Sequence, residues 1–347
     1  MEFYPLLFEP NLHEVVWGGT RLKKWKGMPQ DGEPIGESWE ISAISDSPGI
    51  IANGVLKGRK ITEITEEFGS RLLGKSVVEK HGTELPLLVK LIDARSDLSI
   101  QVHPNDEMAM RCHNKKGKTE MWYVIDADPG AGLYVGFKER ITPEEFARRT
   151  QDGTICDVLA RHEVKAGDVF YIPSGRVHAI CGGILLAEVQ ESSDVTYRIY
   201  DYGRKDLNGD LRELHVDLAT QAVDYEVPED YRTHYIKPRQ RSAAIIKSPF
   251  FNVRLIEASR PFHRNMKKFD SFVIMVCLSG ECSIEVHGEG RKDPVRLREG
   301  YSCLIPAEVA NYYIVPEGGS VKILETFIDN VDADVWERFK RFYHIQK

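Results

Sequence analysis

One stretch of this chain occurs twice, and that constrains its fold more than any other feature. Lys165-Ala-Gly-Asp-Val-Phe-Tyr-Ile-Pro-Ser-Gly-Arg-Val-His178 aligns with Arg298-Glu-Gly-Tyr-Ser-Cys-Leu-Ile-Pro-Ala-Glu-Val-Ala-Asn311, each a glycine turn, a strand and a proline. Pro129-Gly130 and Ser279-Gly280 match in the same way, as hairpins that follow an apolar strand. A β-unit used twice predicts closed or sandwiched β-architecture, which hides strand edges. Short β-branched and aromatic runs elsewhere agree, among them Leu88–Ile92, Trp122–Ile125, Ile184–Val189 and Phe251–Ile256. Helices are few. Thr142-Pro143-Glu-Glu145 is a capping box that opens a helix to about Thr150. Others are read over Thr62–Lys80, Val216–Val223 and Asp334–Phe342, and the charged, proline-rich stretch Gly203–Arg241 as a cover and connection. The expected division is residues 1–240 as one β-domain with helical and loop insertions, and 241–347 as a second that ends in a helix.

The 347 residues allow two or three domains, and 42% hydrophobic with 29% charged residues is ordinary for a soluble globular protein. The net charge of −7 is spread along the chain, with no basic stripe for nucleic acid. Met1-Glu-Phe-Tyr-Pro lacks a basic region followed by an apolar run, so no signal peptide is expected, and the longest apolar run, Phe272–Leu278, is too short to span a bilayer. The six cysteines form no Cys-x-x-Cys pair, which fits reduced thiols in a cytoplasmic protein and speaks against cysteine-bound zinc. These features assign no oligomeric state.

Three segments carry metal-ligand chemistry. In Leu98-Ser-Ile-Gln-Val-His103, strand alternation puts Leu98, Ile100 and Val102 on one face and Ser99, Gln101 and His103 on the other. Lys118 and Glu120 share parity at the entry to Met-Trp-Tyr-Val-Ile. Gly167, Pro173, Gly175 and His178 then match the second signature motif of cupin barrels, in which the glycines and proline return a histidine to the lumen. Both domains are accordingly read as cupin-type jelly-roll barrels. The first holds one divalent metal at His103, Glu120 and His178, with Gln101 as a candidate oxygen-donor fourth ligand. Asn311 replaces the histidine in the second, which is expected to be metal-free; His263, His287 and Asn311 are the residues that would contradict this. Two imidazoles, a carboxylate and an open position suit a catalytic zinc site.

Gln101-Val-His103-Pro-Asn, Lys118-Thr-Glu120, Pro173-Ser-Gly-Arg-Val-His178 and Ser193-Asp194-Val-Thr-Tyr-Arg198 together resemble type I mannose-6-phosphate isomerases of the shorter bacterial branch. Trp17-Gly-Gly, Glu37-Ser-Trp39-Glu and Leu88-Val-Lys90 resemble that family as well. The resemblance implies one zinc per chain at His103, Glu120 and His178 with Gln101 as fourth ligand, a sugar-phosphate substrate, and Arg198 as catalytic arginine. The longer branch has His-Lys-Pro-Glu where this chain has Gly117-Lys118-Thr119-Glu120, so a role for that histidine does not transfer, whereas one for Lys118 does.

Aldose–ketose interconversion through an enediol needs an acid/base group, charge stabilisation on two oxygens and a grip on phosphate. Glu188, closing an apolar strand, is read either as an inward base or as a solvated strand end. Asp194 either orients Arg198 or caps a turn. Lys90, Ser99 and Lys118 are phosphate candidates from parity and family position, Lys118 serving either phosphate or proton transfer, and Trp17 and Asp194 are added as substrate contacts. Arg176 is read as a rim residue or a solvated loop cation. The rival readings are a cupin iron oxygenase and a non-catalytic sugar-phosphate-binding cupin.

Overall fold

The computed structural model describes residues 1–286 and 293–329. The expected helix at Asp334–Phe342 and His287 lie outside the described residues.

The first half of the chain forms two facing sheets. One has six strands in the order Leu12–Gly19, Ile35–Ile41, Leu87–Ala94, Ile184–Glu191, Glu120–Ala127 and Val169–Ile172; the other has five, Tyr197–Tyr200, Ile100–Val102, His178–Ile180, Gly132–Phe137 and Leu159–Glu163. Alternate residues of both sheets fill the space between them. Ile92, Trp122, Val124, Phe170, Ile172 and Leu186 from one meet Leu133, Val135 and Ile180 from the other. The outer face of the smaller sheet, with Ile100, Val102, Ala179, Tyr197 and Ile199, is covered by Phe146 of helix Pro143–Gln151 and Ala219 of helix Val216–Ala222. The outer face of the larger sheet packs against the second barrel. Strand Ile184–Glu191 is therefore buried along its whole length, and its first half, Ile184–Ala187, reads as a continuous apolar run rather than an alternation.

The second barrel pairs a six-stranded sheet (Leu6–Leu7, Ser302–Ile305, Val273–Ser279, Val321–Phe327, Asn252–Ala258, Arg241–Lys247) with a four-stranded one (Phe262–Asn265, Asn311–Pro316, Glu281–Val286, Val295–Arg298). Its first strand, Leu6–Leu7, comes from the N-terminus and pairs with Cys303 and Leu304. The chain thus crosses a boundary at residue 240 at its very start, and one apolar cluster runs from Phe3 and Leu87 through to Leu324. No helix among the described residues is long and apolar enough to cross a membrane.

The repeat is structural. Val169–Ile172 followed by Pro173 and His178–Ile180 corresponds to Ser302–Ile305 followed by Pro306 and Asn311–Pro316. The turn glycines Gly167 and Gly300 both have positive φ, 91° and 79°, as do Gly130 and Gly280 in the hairpins, 79° and 76°. Gly175 (φ 87°) also lies where an added Cβ would sit 3.0 Å from the carbonyl oxygen of Ala222, so only glycine fits this turn ahead of His178.

Within the described residues the expected helices form, with Ile61–Phe68, Ser70–Leu73 and Lys75–His81 in place of one or two longer ones, and Thr142 Oγ1 accepting from the Glu145 N–H at 3.2 Å. Two α-helices were not foreseen: Arg21–Trp25, and Asp106–His113, capped by Asn105 Oδ1, which accepts from the Met108 N–H at 2.9 Å. Asn105 followed by Asp106 and Glu107 is the local signal for the second.

Candidate metal centre

His103 follows strand Ile100–Val102, Glu120 opens Glu120–Ala127 and His178 opens His178–Ile180, so three separate segments converge at one end of the first barrel. One donor atom from each lies within 4.8 Å of the others, and the three residues are 1%, 0% and 0% exposed. His103 Nε2 is 3.4 Å from Glu120 Oε2, and His178 Nε2 is 3.2 Å from Glu120 Oε1. Each imidazole is oriented through its other nitrogen: Nδ1 of His103 lies 3.0 Å from the carbonyl oxygen of Val195, and Nδ1 of His178 lies 2.8 Å from that of Arg176. A backbone carbonyl only accepts, so both Nδ1 atoms carry the proton and both Nε2 atoms present a lone pair to the centre.

What those lone pairs face is the test of fit. His178 Nε2 and both oxygens of Glu120 are buried with no hydrogen bond, a costly arrangement unless another group completes it. Burial and the neighbouring Lys118 ammonium push the His103 pKa down to about 3, and burial lowers that of His178. Burial acts to raise that of Glu120, but Lys118 and the two imidazoles outweigh it and hold the carboxyl well below its usual range. Neutral imidazoles beside an ionised carboxylate are the protonation states in which these groups bind a divalent cation. Lys118 Nζ stands over the cluster, 3.0 Å from His103 Nε2 and 3.1 Å from Glu120 Oε2.

Two rows of side chains extend from this centre across the strands, since directly opposed residues in antiparallel pairs share a face. Along the smaller sheet, His178 opposes Gln101 and Gln101 opposes Arg198. Arg198 is half-buried; its Nη1 donates to the Glu213 carbonyl at 3.0 Å, and its backbone is bracketed by His215. Ser99 is buried.

Along the larger sheet, Trp39, Lys90, Glu188 and Trp122 stand in register on four adjacent strands. Lys90 Nζ lies 3.5 Å from Glu37 Oε2 and 3.7 Å from Glu188 Oε1, and 5.0 Å from the centre of the Trp39 ring. The Trp39 indole donates to Glu37 at 2.6 Å and that of Trp122 to Glu188 Oε2 at 2.8 Å. Glu188 is buried, not a solvated strand end: burial, then the charge of Glu120, raise its pKa against the opposing effect of Lys118 and Lys90.

Three residues sit differently from their sequence reading. Asp194 is half-exposed and paired with Lys115 Nζ at 2.6 Å, whereas Arg198 is held by Glu213 and His215; Asp194 belongs to a surface pair. Trp17 is 4% exposed within the apolar cluster between the sheets, where its ring packs rather than meets solvent. Arg176 is buried over the Tyr231 ring, 5.2 Å from its centroid, and is no solvated cation.

Other residues of the site went unread. Glu37 shares strand parity with Trp39, which was the available signal. Gln190, opposite Glu120 and fully buried, donates to the carbonyls of Glu191 and Ser193 at 2.8 Å each, and so fixes the turn that leads to Val195 and its bond to His103.

Comparison with known proteins gives one answer. The model of the type I phosphomannose isomerase catalytic domain matches residues 6–126. A Bacillus subtilis mannose-6-phosphate isomerase is 37% identical over 280 residues, 80% of this chain and 86% of that one. One from Streptococcus mutans is 34% identical over 89% of this chain and 94% of its own. The crystal structure of a mannose 6-phosphate isomerase from Bacillus subtilis superposes with a TM-score of 0.83 at 30% identity, covering 93% of this chain and 99% of that one. With this identity along nearly the whole length, the chain belongs to the type I phosphomannose isomerases, the mannose-6-phosphate isomerase family.

Proposed function

We propose that the chain interconverts mannose 6-phosphate and fructose 6-phosphate through an enediol, with one zinc ion held by His103, Glu120 and His178 and with Gln101 as fourth ligand. The observation that carries this reading is the convergence of two oriented Nε2 lone pairs on a buried carboxylate whose oxygens receive no hydrogen bond. The ligand set, nitrogen and oxygen only, suits zinc. Zinc bound there would polarise the sugar carbonyl and orient its two reacting oxygens.

The remaining steps fall to the chain's own residues. Glu188 takes the C2 proton of the open-chain aldose. The C–H electron pair becomes the C1–C2 double bond, while the carbonyl electrons move to O1, which is protonated. Return of a proton to C1, with loss of the O2 proton, gives the ketose. A carboxylate with a raised pKa is suited to both directions. Arg198, in the row of His178 and Gln101, stabilises negative charge on the enediol oxygens through its planar fork. Lys118 steadies charge from the other side and shares the proton transfers. Lys90 and Ser99 receive the phosphate.

A coupled assay that follows fructose 6-phosphate from mannose 6-phosphate, run beside metal analysis, tests this. The expected result is about one zinc per chain, activity lost on chelation and restored by zinc, and joint loss of metal and turnover in His103→Ala. Full activity in verified metal-free protein overturns it.

A further inference from the structure

We propose that Trp122 is a positioning residue of the isomerisation: its indole N–H holds Glu188 by Oε2 and so leaves Oε1 as the oxygen that exchanges protons with the sugar. The inference rests on the reading of Glu188 as the base and goes beyond it by assigning the working atom and the group that aims it.

The geometry is specific. Trp122 is fully buried and faces the barrel interior, and its Nε1, which can only donate, meets Glu188 Oε2 at 2.8 Å. Glu188 Oε1 is buried and receives no hydrogen bond; Lys90 Nζ is 3.7 Å away. The two oxygens are therefore unequal: Oε2 is held by a hydrogen bond, whereas Oε1 has only the longer ion-pair contact with Lys90. A glutamate side chain has three torsions, and a carboxylate that must meet a carbon-bound proton gains from having them restricted beforehand. The Trp122 ring also stands edge-on to His178, 5.3 Å between centroids at 77°, so one rigid indole spaces the carboxylate from the candidate metal ligand. Phe170 opposes Trp122 on the next strand and backs it from the far side.

The second barrel shows what the same position does without the indole. Glu325 occupies the row of Glu188, with Arg254 where the first barrel has Lys90 and Met275 where it has Trp122. Methionine offers no N–H. Glu325 is instead bound through both oxygens by Arg264, at 2.8 and 2.5 Å, and neither oxygen is free.

Trp122→Phe keeps the aromatic packing and removes the N–H. The expected result is a fall in kcat on the order of ten- to a hundred-fold, KM within about two-fold of wild type and metal content unchanged. Unchanged kcat, or a fall only in proportion to metal lost, overturns the proposal. A second measurement does not depend on that variant folding. The Trp122 indole 15N–1H resonance, found by its position in wild-type protein and its response to substrate analogue, should lie far downfield and move upfield in the isosteric Glu188→Gln. A resonance that stays in place overturns the proposal too. Failure of the underlying reading looks different: Glu188→Gln would itself turn over at near wild-type rate.

Discussion

The two barrels share a fold unit but differ in how their interiors treat buried charge. In the second, the acidic residue is closed off: Glu325 accepts from Arg264 at both oxygens, with the Tyr312 hydroxyl 3.4 Å away. In the first, Glu120, His178 and Glu188 all keep buried polar atoms with no hydrogen bond. The substitutions responsible are few. Val273 stands in the register position of Glu120, opposite Ile305 as Glu120 is opposite Ile172, and Asn311 stands where His178 does. Among the described residues, His103, Glu120 and His178 are the single group of three able to hold a metal. The comparison teaches that chemistry here is located less by the presence of buried acids and bases than by which of them the fold leaves unsatisfied.

The strongest way to break this comparison is to remove a ligand from one barrel and its counterpart from the other. His178→Ala should reduce turnover on the order of a thousand-fold or more and empty the site. Asn311→Ala should change neither metal content nor rate. Elemental analysis and steady-state kinetics on both variants check it, and metal that survives His178→Ala but follows Asn311 reverses the assignment.

Arg198 comes next. If its fork stabilises the enediol, Arg198→Lys keeps metal and melting temperature, while kcat falls on the order of ten- to a thousand-fold and KM changes less. Near wild-type turnover in Arg198→Ala would mean that its contact with the Glu213 carbonyl is the whole of its role.

The second barrel's closed ion pair predicts the opposite phenotype. Arg264→Ala strands Glu325, which is 0% exposed, and should cost about 3–5 kcal/mol of stability. Denaturant unfolding measures this, and kcat per folded molecule should be unchanged. A loss of activity without a loss of stability would tie the second barrel to catalysis.

Much of this contrast was legible in the sequence because strand alternation is short-ranged and survives in any context. Parity put Ser99, Gln101 and His103 on one face and Lys118 with Glu120, and the glycine-proline spacing returned His178 to the interior. What stayed hidden depends on partners distant in the chain. The burial of Arg176 comes from Tyr231, and the tether on Arg198 from the segment at Glu213. The orientation of His103 comes from a carbonyl at Val195, which no side-chain pattern encodes. Strand Leu6–Leu7 is too short to show a period, so its place in the other barrel's sheet could not be read. Trp17 lies in the apolar cluster between the sheets and Asp194 in a surface pair with Lys115, placements set by neighbours distant in the chain.

The smallest expected difference between the barrels concerns pH. Glu191 follows Gln190, which opposes Glu120; in the second barrel Ile328 follows Phe327, which opposes Val273. Both residues are buried, but Ile328 cannot titrate. Burial, then the charge of Asp106, raise the pKa of Glu191 to about 8, against the bond it accepts from the Thr119 N–H at 2.8 Å. The folded protein therefore binds a proton here that the unfolded chain releases near its ordinary value of 4.5. Between these two values the folded state holds more protons, so stability falls as pH rises. The contribution is complete below about pH 4.5 and gone above about pH 8. Glu191→Gln keeps an acceptor for Thr119 and removes the titration. Other groups, the metal ligands included, titrate in both proteins, so their effect largely cancels in the difference between variant and wild type. That difference should shift in favour of the variant by about 3–4 kcal/mol between pH 5 and pH 8. Denaturant unfolding of both proteins across that range decides it: a difference that stays flat would mean that Glu191 is ionised in the fold and that position 191 is no less satisfied than its apolar counterpart.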